Sequence, residues 1–144
     1  MFPLSRVVKD ILVAAGLGTF AYDTESTTYG IYVGGEPGGV PSRAITITDI
    51  PNGVGVVSLA GDMPDKEGGV QVLVRSRAYL DGYDKIIAAR DALLAKGRFT
   101  QTEGSDTVTY PGFFPTTDDV LFLGKDPKQR FLFSLNFRAR RRLS

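Results

Sequence analysis

The chain has 144 residues, within the usual size of one domain, and its 42% apolar and 23% charged residues are ordinary for a globular unit with one core. It contains neither histidine nor cysteine, which excludes Cys/His zinc sites, iron–sulfur clusters, thiol nucleophiles and a Ser-His-Asp triad. The net charge of +1 divides into +6 over residues 125–144 and −5 over residues 1–124, so an acidic body carries a basic end suited to a neighbouring copy or an acidic partner.

An enzyme built from this chain would have to use carboxylates, lysine, tyrosine or a magnesium ion. Without cysteine the fold is indifferent to redox compartment and compatible with assembly in a cytoplasm. The opening Met1-Phe2-Pro3-Leu4-Ser5-Arg6 lacks the basic lead of a signal peptide. No run approaches the roughly 18 apolar residues of a membrane-spanning helix, so no membrane partner is expected.

Leu4 to Ala15 reads as a helix with Leu4, Val8, Ile11, Leu12 and Ala15 on one stripe. Pro3 suits its first position and Gly16 its left-handed stop. The polar run Asp23–Thr28 predicts a loop. Tyr29 to Val33 is a short β-rich run, followed by the glycine-rich loop Gly34–Gly39. Arg43 to Ile50 reads as a strand. Pro51-Asn52-Gly53 turns it into a second strand, Val54–Leu59, as a hairpin. Gly61–Gly69 reads as a polar loop.

Val70 to Arg77 is the clearest strand, with Val70, Val72 and Val74 on one face and Gln71, Leu73, Arg75 and Arg77 on the other. The period then becomes helical, placing Tyr79, Tyr83, Ile86, Ile87, Leu93 and Leu94 on one face before the stop at Gly97. A strand running straight into such a helix implies that the helix packs back onto the sheet. Residues 98–118 are less regular, with Gly104, Pro111, Gly112 and Pro115. Val120–Leu123 is a short apolar strand. Arg130–Arg138 is the last, with Phe131, Phe133, Leu135 and Phe137 on one face. Together these predict an α+β fold: a mixed, mostly antiparallel sheet with two main helices packed on one face.

No motif demands catalysis. Gly16-Leu17-Gly18-Thr19-Phe20-Ala21 spells the dinucleotide pattern, but it ends a helix instead of opening one. Asp118 and Asp119 are adjacent before a strand and point apart; Asp62, Asp65 and Glu67 miss the calcium-loop spacing. Neither a cofactor nor a metal is expected. Arg90 falls on the apolar stripe of the second helix, either snorkelling to the rim of the core or meeting a neighbour's carboxylate. Arg75 and Arg77 share a strand face that is either solvated or paired with another copy. The run Arg138-Ala139-Arg140-Arg141-Arg142 reads as a solubilising tail, a phosphate-contacting arm or a dock for an acidic surface.

Two stretches carry a family likeness. One is Gly69-Val70-Gln71-Val72-Leu73-Val74-Arg75-Ser76-Arg77 with Tyr79, Tyr83 and a helix ending Leu93-Leu94-Ala95-Lys96-Gly97. The other is Phe114-Pro115, Leu123-Gly124-Lys125-Asp126-Pro127-Lys128-Gln129-Arg130 and Ser134-Leu135-Asn136-Phe137. Together they resemble the small tail-terminator (minor capsid or tail-completion) proteins of long-tailed bacteriophages.

The resemblance implies a single such domain over residues 1–144 with a basic segment at 138–144. It implies a virion protein, assembled in the host cytoplasm, that forms a homo-oligomeric ring, usually a hexamer. The ring would cap the head-proximal end of the tail tube, stop tube protein from polymerising and present a surface to the head-completion or connector protein. Genomic DNA would pass through its channel, and no catalysis is implied. Arg138, Arg140, Arg141 and Arg142 are then expected contacts to a neighbour, a tube subunit or the channel. Asp62, Asp65 and Glu67 belong to a loop expected to order on docking; Arg75, Arg77 and Arg90 are further interface or channel candidates. The alternatives are a head-completion or connector subunit and, from another class, a DNA-binding accessory protein using the terminal arginines.

Overall fold

In a computed structural model, which describes residues 1–20, 29–35, 42–50, 65–116 and 119–143, the first apolar stripe becomes helix α1, Leu4–Ala14. It buries Leu4, Val7, Val8 and Leu12, and Pro3 sits immediately before it. Gly16 takes φ +76°, and Gly16 and Leu17 donate backbone hydrogen bonds to Val13 and Leu12. The glycine pattern at 16–21 therefore begins as a helix stop.

The strands are β1 (Thr19–Phe20), β2 (Gly30–Val33), β3 (Ala44–Ile50), β4 (Asp65–Ser76), β5 (Phe99–Glu103), β6 (Asp106–Tyr110), β7 (Phe113–Pro115), β8 (Leu121–Lys125) and β9 (Phe131–Leu143). They form one sheet in the order β1-β2-β3-β4-β9-β6-β5, with β7 and β8 also pairing along β9. The β1–β2 and β2–β3 pairs are parallel and the remainder antiparallel. This is the expected α+β architecture. Its axis is the β4–β9 ladder, which runs from Ser76 opposite Phe131 to Asp65 opposite Arg142.

Alternation along that ladder decides what is inside. Val70, Val72 and Val74 of β4 and Phe133, Leu135, Phe137 and Ala139 of β9 join Ile45 and Ile47 of β3 beneath the helices in one buried cluster. Each large aliphatic or aromatic side chain so buried contributes about 1.5–3 kcal/mol relative to exposure. Helix α1 packs on β2, β3 and β4, while helix α2 (Tyr79–Lys96) packs on β4 and β9 and touches α1. Both helices therefore share one face of the sheet.

Four expectations change. The less regular stretch holds β5, β6 and β7 within its described residues 98–116; the threonines and acids of β5 and β6 interrupt the apolar alternation. Residues 65–69 are not loop but the first rungs of β4. The last strand continues through the arginines to Leu143, so they form neither a tail nor an arm. The antiparallel partner of β3 among the described residues is β4; the proposed hairpin partner 54–59 lies outside them, as do the predicted loops at 23–28 and 36–39, the turn at 51–53 and residues 61–64.

The seating of α2 also differs. Gly82, Ile86, Ala89 and Leu93 are its buried residues, whereas Tyr79, Tyr83 and Leu94 are exposed. The cause is Gly82. A Cβ there would lie 2.9 Å from a ring carbon of Phe133 and 3.0 Å from Cβ of Ser76. The missing side chain lets the first turns press onto β9 and rolls the tyrosines outward. Gly82→Val is expected to lower stability by about 1–3 kcal/mol through overpacking, read as a lower urea midpoint. An unchanged midpoint would mean that the helix does not approach the strand this closely.

Candidate assembly interface

The terminal arginines alternate with the strand. Arg138, Arg140 and Arg142 are exposed, while Ala139 and Arg141 turn inward. Alternate residues of a strand stand roughly 6.6 Å apart, so the outward three form a regular basic row on the face opposite the helices. Across the ladder Asp65, Glu67 and Gly69 of β4 stand in register with Arg142, Arg140 and Arg138. Arg138 Nε lies 2.9 Å from Glu67 Oε1, a diagonal pair in an exposed setting where such pairs contribute about 0–1 kcal/mol. Phe114 of β7 is exposed beside it and lines a shallow cleft with Glu67, Arg138 and Arg140. A second cleft is bounded by Arg98, Thr109, Pro111 and residues 140–142. Arg98 thus extends the basic surface. Sequence reasoning missed it because it follows a helix stop, with no alternation to mark it.

Arg141 has a different place. It is 6% exposed, and its Nη1 donates to the carbonyl of Phe2 at 2.7 Å. Close by is Glu103, 1% exposed, which accepts hydrogen bonds from the Phe2 backbone N–H (2.6 Å), Gln101 Nε2 (2.9 Å) and Tyr110 Oη (2.5 Å). Burial works against the charge of Glu103, but these donors and the Arg141 guanidinium outweigh it and hold the carboxyl below its ordinary value. Burial and the neighbouring carboxylate push the Tyr110 phenol up. The cluster fastens the start of the chain to β5, β6 and β9.

The other candidates scatter. Arg75 is 2% exposed and belongs to the interior, not to a solvated face: the strand period gives its direction but not what covers it. Arg77 is exposed beyond the end of β4. The Arg90 side chain is 30% exposed, with Nε 3.6 Å from Asp91, at the rim of the core. Glu67 joins the arginine row. Asp62 and Asp118 lie outside the described residues, as does the side chain of Asp65. Among the described residues, no group of three or more acidic side chains is placed to hold a metal ion, and no helix is long and apolar enough to cross a membrane.

A second surface was not anticipated. Tyr79 packs edge-on against Phe122, Phe131 and Phe133 at centroid distances of 5.3, 5.6 and 5.2 Å and stacks beside Tyr83 at 6.5 Å. Tyr79, Tyr83 and Phe122 are nonetheless exposed; Leu80 on α2 and Leu121 and Leu123 along β8 are exposed as well. The start of α2 is anchored separately. Tyr29 Oη donates to Asp81 Oδ2 at 2.9 Å, and Arg43 Nε reaches the same oxygen at 3.3 Å. Burial, with the neighbouring Asp81 carboxylate, pushes the Tyr29 phenol up to about 12.

The family model described as "Bacteriophage tail terminator protein" matches residues 11–142. The chain belongs to that family. No curated protein matches it. Membership gives it a structural role in the phage tail, with tail and head components as its partners.

The geometry also explains the closing motif of this tail terminator. Asp126 accepts hydrogen bonds from the backbone N–H groups of Lys128 (2.9 Å) and Arg130 (3.0 Å) and from Arg130 Nε (2.7 Å). Burial opposes the charge of Asp126, yet these donors hold its carboxyl below the ordinary value. Gln129 adopts φ +62° within this turn. The Asp and Arg of the motif therefore lock the β8–β9 hairpin, which carries Leu121, Phe122 and Leu123 to the surface.

Proposed function

We propose that the protein closes as a ring of identical copies on the head-proximal end of the tail tube. The ring ends tube growth and gives the head-completion protein a surface to join, with the genome passing through its centre. The whole chain serves as one assembly unit and performs no catalysis. What supports this reading is the row Arg138, Arg140 and Arg142 on an ordered strand, turned away from the helices. A closed ring of copies meeting head to tail needs two different surfaces on each, and a basic row on one side of a two-layer fold supplies one of them.

The test is tail length in lysates of phage lacking this gene, measured by negative stain, together with the native mass of protein recovered from finished tails. Overlong tubes without the protein, and a closed multimer in finished tails, are expected. Tubes of normal length that fail to join heads would instead make it a connector. Tight binding of duplex DNA by the isolated subunit, steeply weakened by salt and with normal tails, would make it a DNA-binding accessory.

A further inference from the structure

We propose, on the basis of the ring reading above, that the outer side of α2 and the aromatic edge beside it receive the arginine row of the next copy. The occupant is thus a second copy of this chain, docked front to back.

Three observations carry this. First, α2 is apolar where it should not be. Beyond its buried stripe it exposes Leu80 (71%), Tyr79, Tyr83 and Leu94, continuous at its start with Phe122 of β8. A helix with apolar residues on its solvent side marks a surface that is covered in use.

Second, the charges of α2 are sorted. Asp84 and Asp91 are exposed on its outer side. Its bases are turned away or stand at the end: Lys85 reaches the Leu17 carbonyl and lies over the Tyr29 ring, Arg90 is half-buried beside Asp91, and Lys96 lies over Phe99. The helix thus shows an acidic and aromatic side. Guanidinium groups fit both features, pairing with carboxylates and stacking on tyrosine rings. The dimensions agree: Asp84 and Asp91 are about 10.5 Å apart along a helix axis, and Arg138 to Arg142 span roughly 13 Å of strand.

Third, the two surfaces lie on opposite sides of the subunit. The helices cover one face of the sheet and the arginine row lies on the other. They cannot meet within one copy. Stacked front to back they repeat from copy to copy, the heterologous contact that a ring requires. The pair Arg138–Glu67 is exposed and readily exchanged for a partner's carboxylate.

Charge exchange tests the pairing. One variant carries Asp84→Arg and Asp91→Arg; the other carries Arg140→Glu and Arg142→Glu. Each is checked for parental thermal stability, then for ring formation by native mass, alone and on purified tubes. Each variant alone is expected to assemble more weakly than the parent by roughly a hundredfold or more, since like charges then face each other. An equal mixture of the two, in which every contact again joins unlike charges, is expected to regain the ring. Rings from either variant alone at parental concentration would overturn the docking proposal while leaving the ring reading intact. So would a mixture that stays dissociated, or loss of tube binding with the ring preserved in the α2 variant, which would assign that surface to the tube. A parental protein that forms no multimer in solution or on tubes would overturn the ring reading, and this proposal with it.

Discussion

Glu103→Ala is expected to destabilise the protein by about 3–5 kcal/mol, the range for removing one member of a buried charged cluster. The loss comes less from the missing attraction than from what is left behind. Arg141 stays buried with its carbonyl partner but without the carboxylate, and the Tyr110 hydroxyl and the Phe2 N–H lose their acceptor. Glu103→Gln is expected to cost less, because a neutral acceptor remains, and to change the pH response. The folded carboxyl titrates below its unfolded value. Its contribution is therefore complete above the unfolded pKa of about 4.3 and is lost as pH falls through the lower folded value. The fall in stability on acidification should be shallower in Glu103→Gln than in the parent. It should not vanish, since Asp81 and Asp126 are also held below their ordinary values. Urea unfolding at neutral pH and at about pH 3 measures both effects. A Gln variant with the parental slope would show that Glu103 is not charged in the fold.

Phe133→Ala is the second large effect, about 3–5 kcal/mol for emptying a buried aromatic site. Phe133 is 1% exposed and lies beneath Tyr79, Tyr83 and Phe122 at 5.2, 6.1 and 5.3 Å. It is the floor on which the exposed rings rest. Phe133→Leu keeps most of the volume and is expected to cost less, yet it removes one of the three edge-on contacts that orient Tyr79 and the ring beneath Tyr83. The Leu variant should therefore stay folded, with a modest fall in thermal midpoint, and still assemble poorly. Parental assembly in a folded Leu variant would show that the orientation of those rings does not matter.

What the sequence discloses here follows its periods. Val70, Val72 and Val74, the alternate phenylalanines of β9 and the glycine stops at 16 and 97 announce strands and helices, because each pattern has one physical solution. The pattern fails where polarity and structure part company. β5 and β6 are rich in threonine, glutamine and acids, with Val108 the one aliphatic side chain in the pair, so nothing in their spelling demanded burial. Consecutive arginines look like a solvated end, and it takes their partners at 65–69, in β6 and in β7 to show that they continue a ladder. The outward turn of Tyr79 and Tyr83 depended on a glycine whose meaning is an absence of atoms, visible only against Phe133. Of the candidate site, the arginines were legible but the division between Arg141 and its neighbours was not, since that rests on Phe2 and Glu103 far away in sequence.

The β4–β9 ladder has a mechanical corollary. Twelve consecutive residue pairs lie along it, with the arginines at one extremity and the locked β8–β9 turn at the other. Tension applied to the arginines along the strand direction loads those rungs together in shear, so none can yield before the rest. A pull at right angles would open them one at a time, like a zip. A molecule gripped by β9, which lies within the sheet with strands paired on both sides, can in the first sense pass force into its neighbours through many rungs at once.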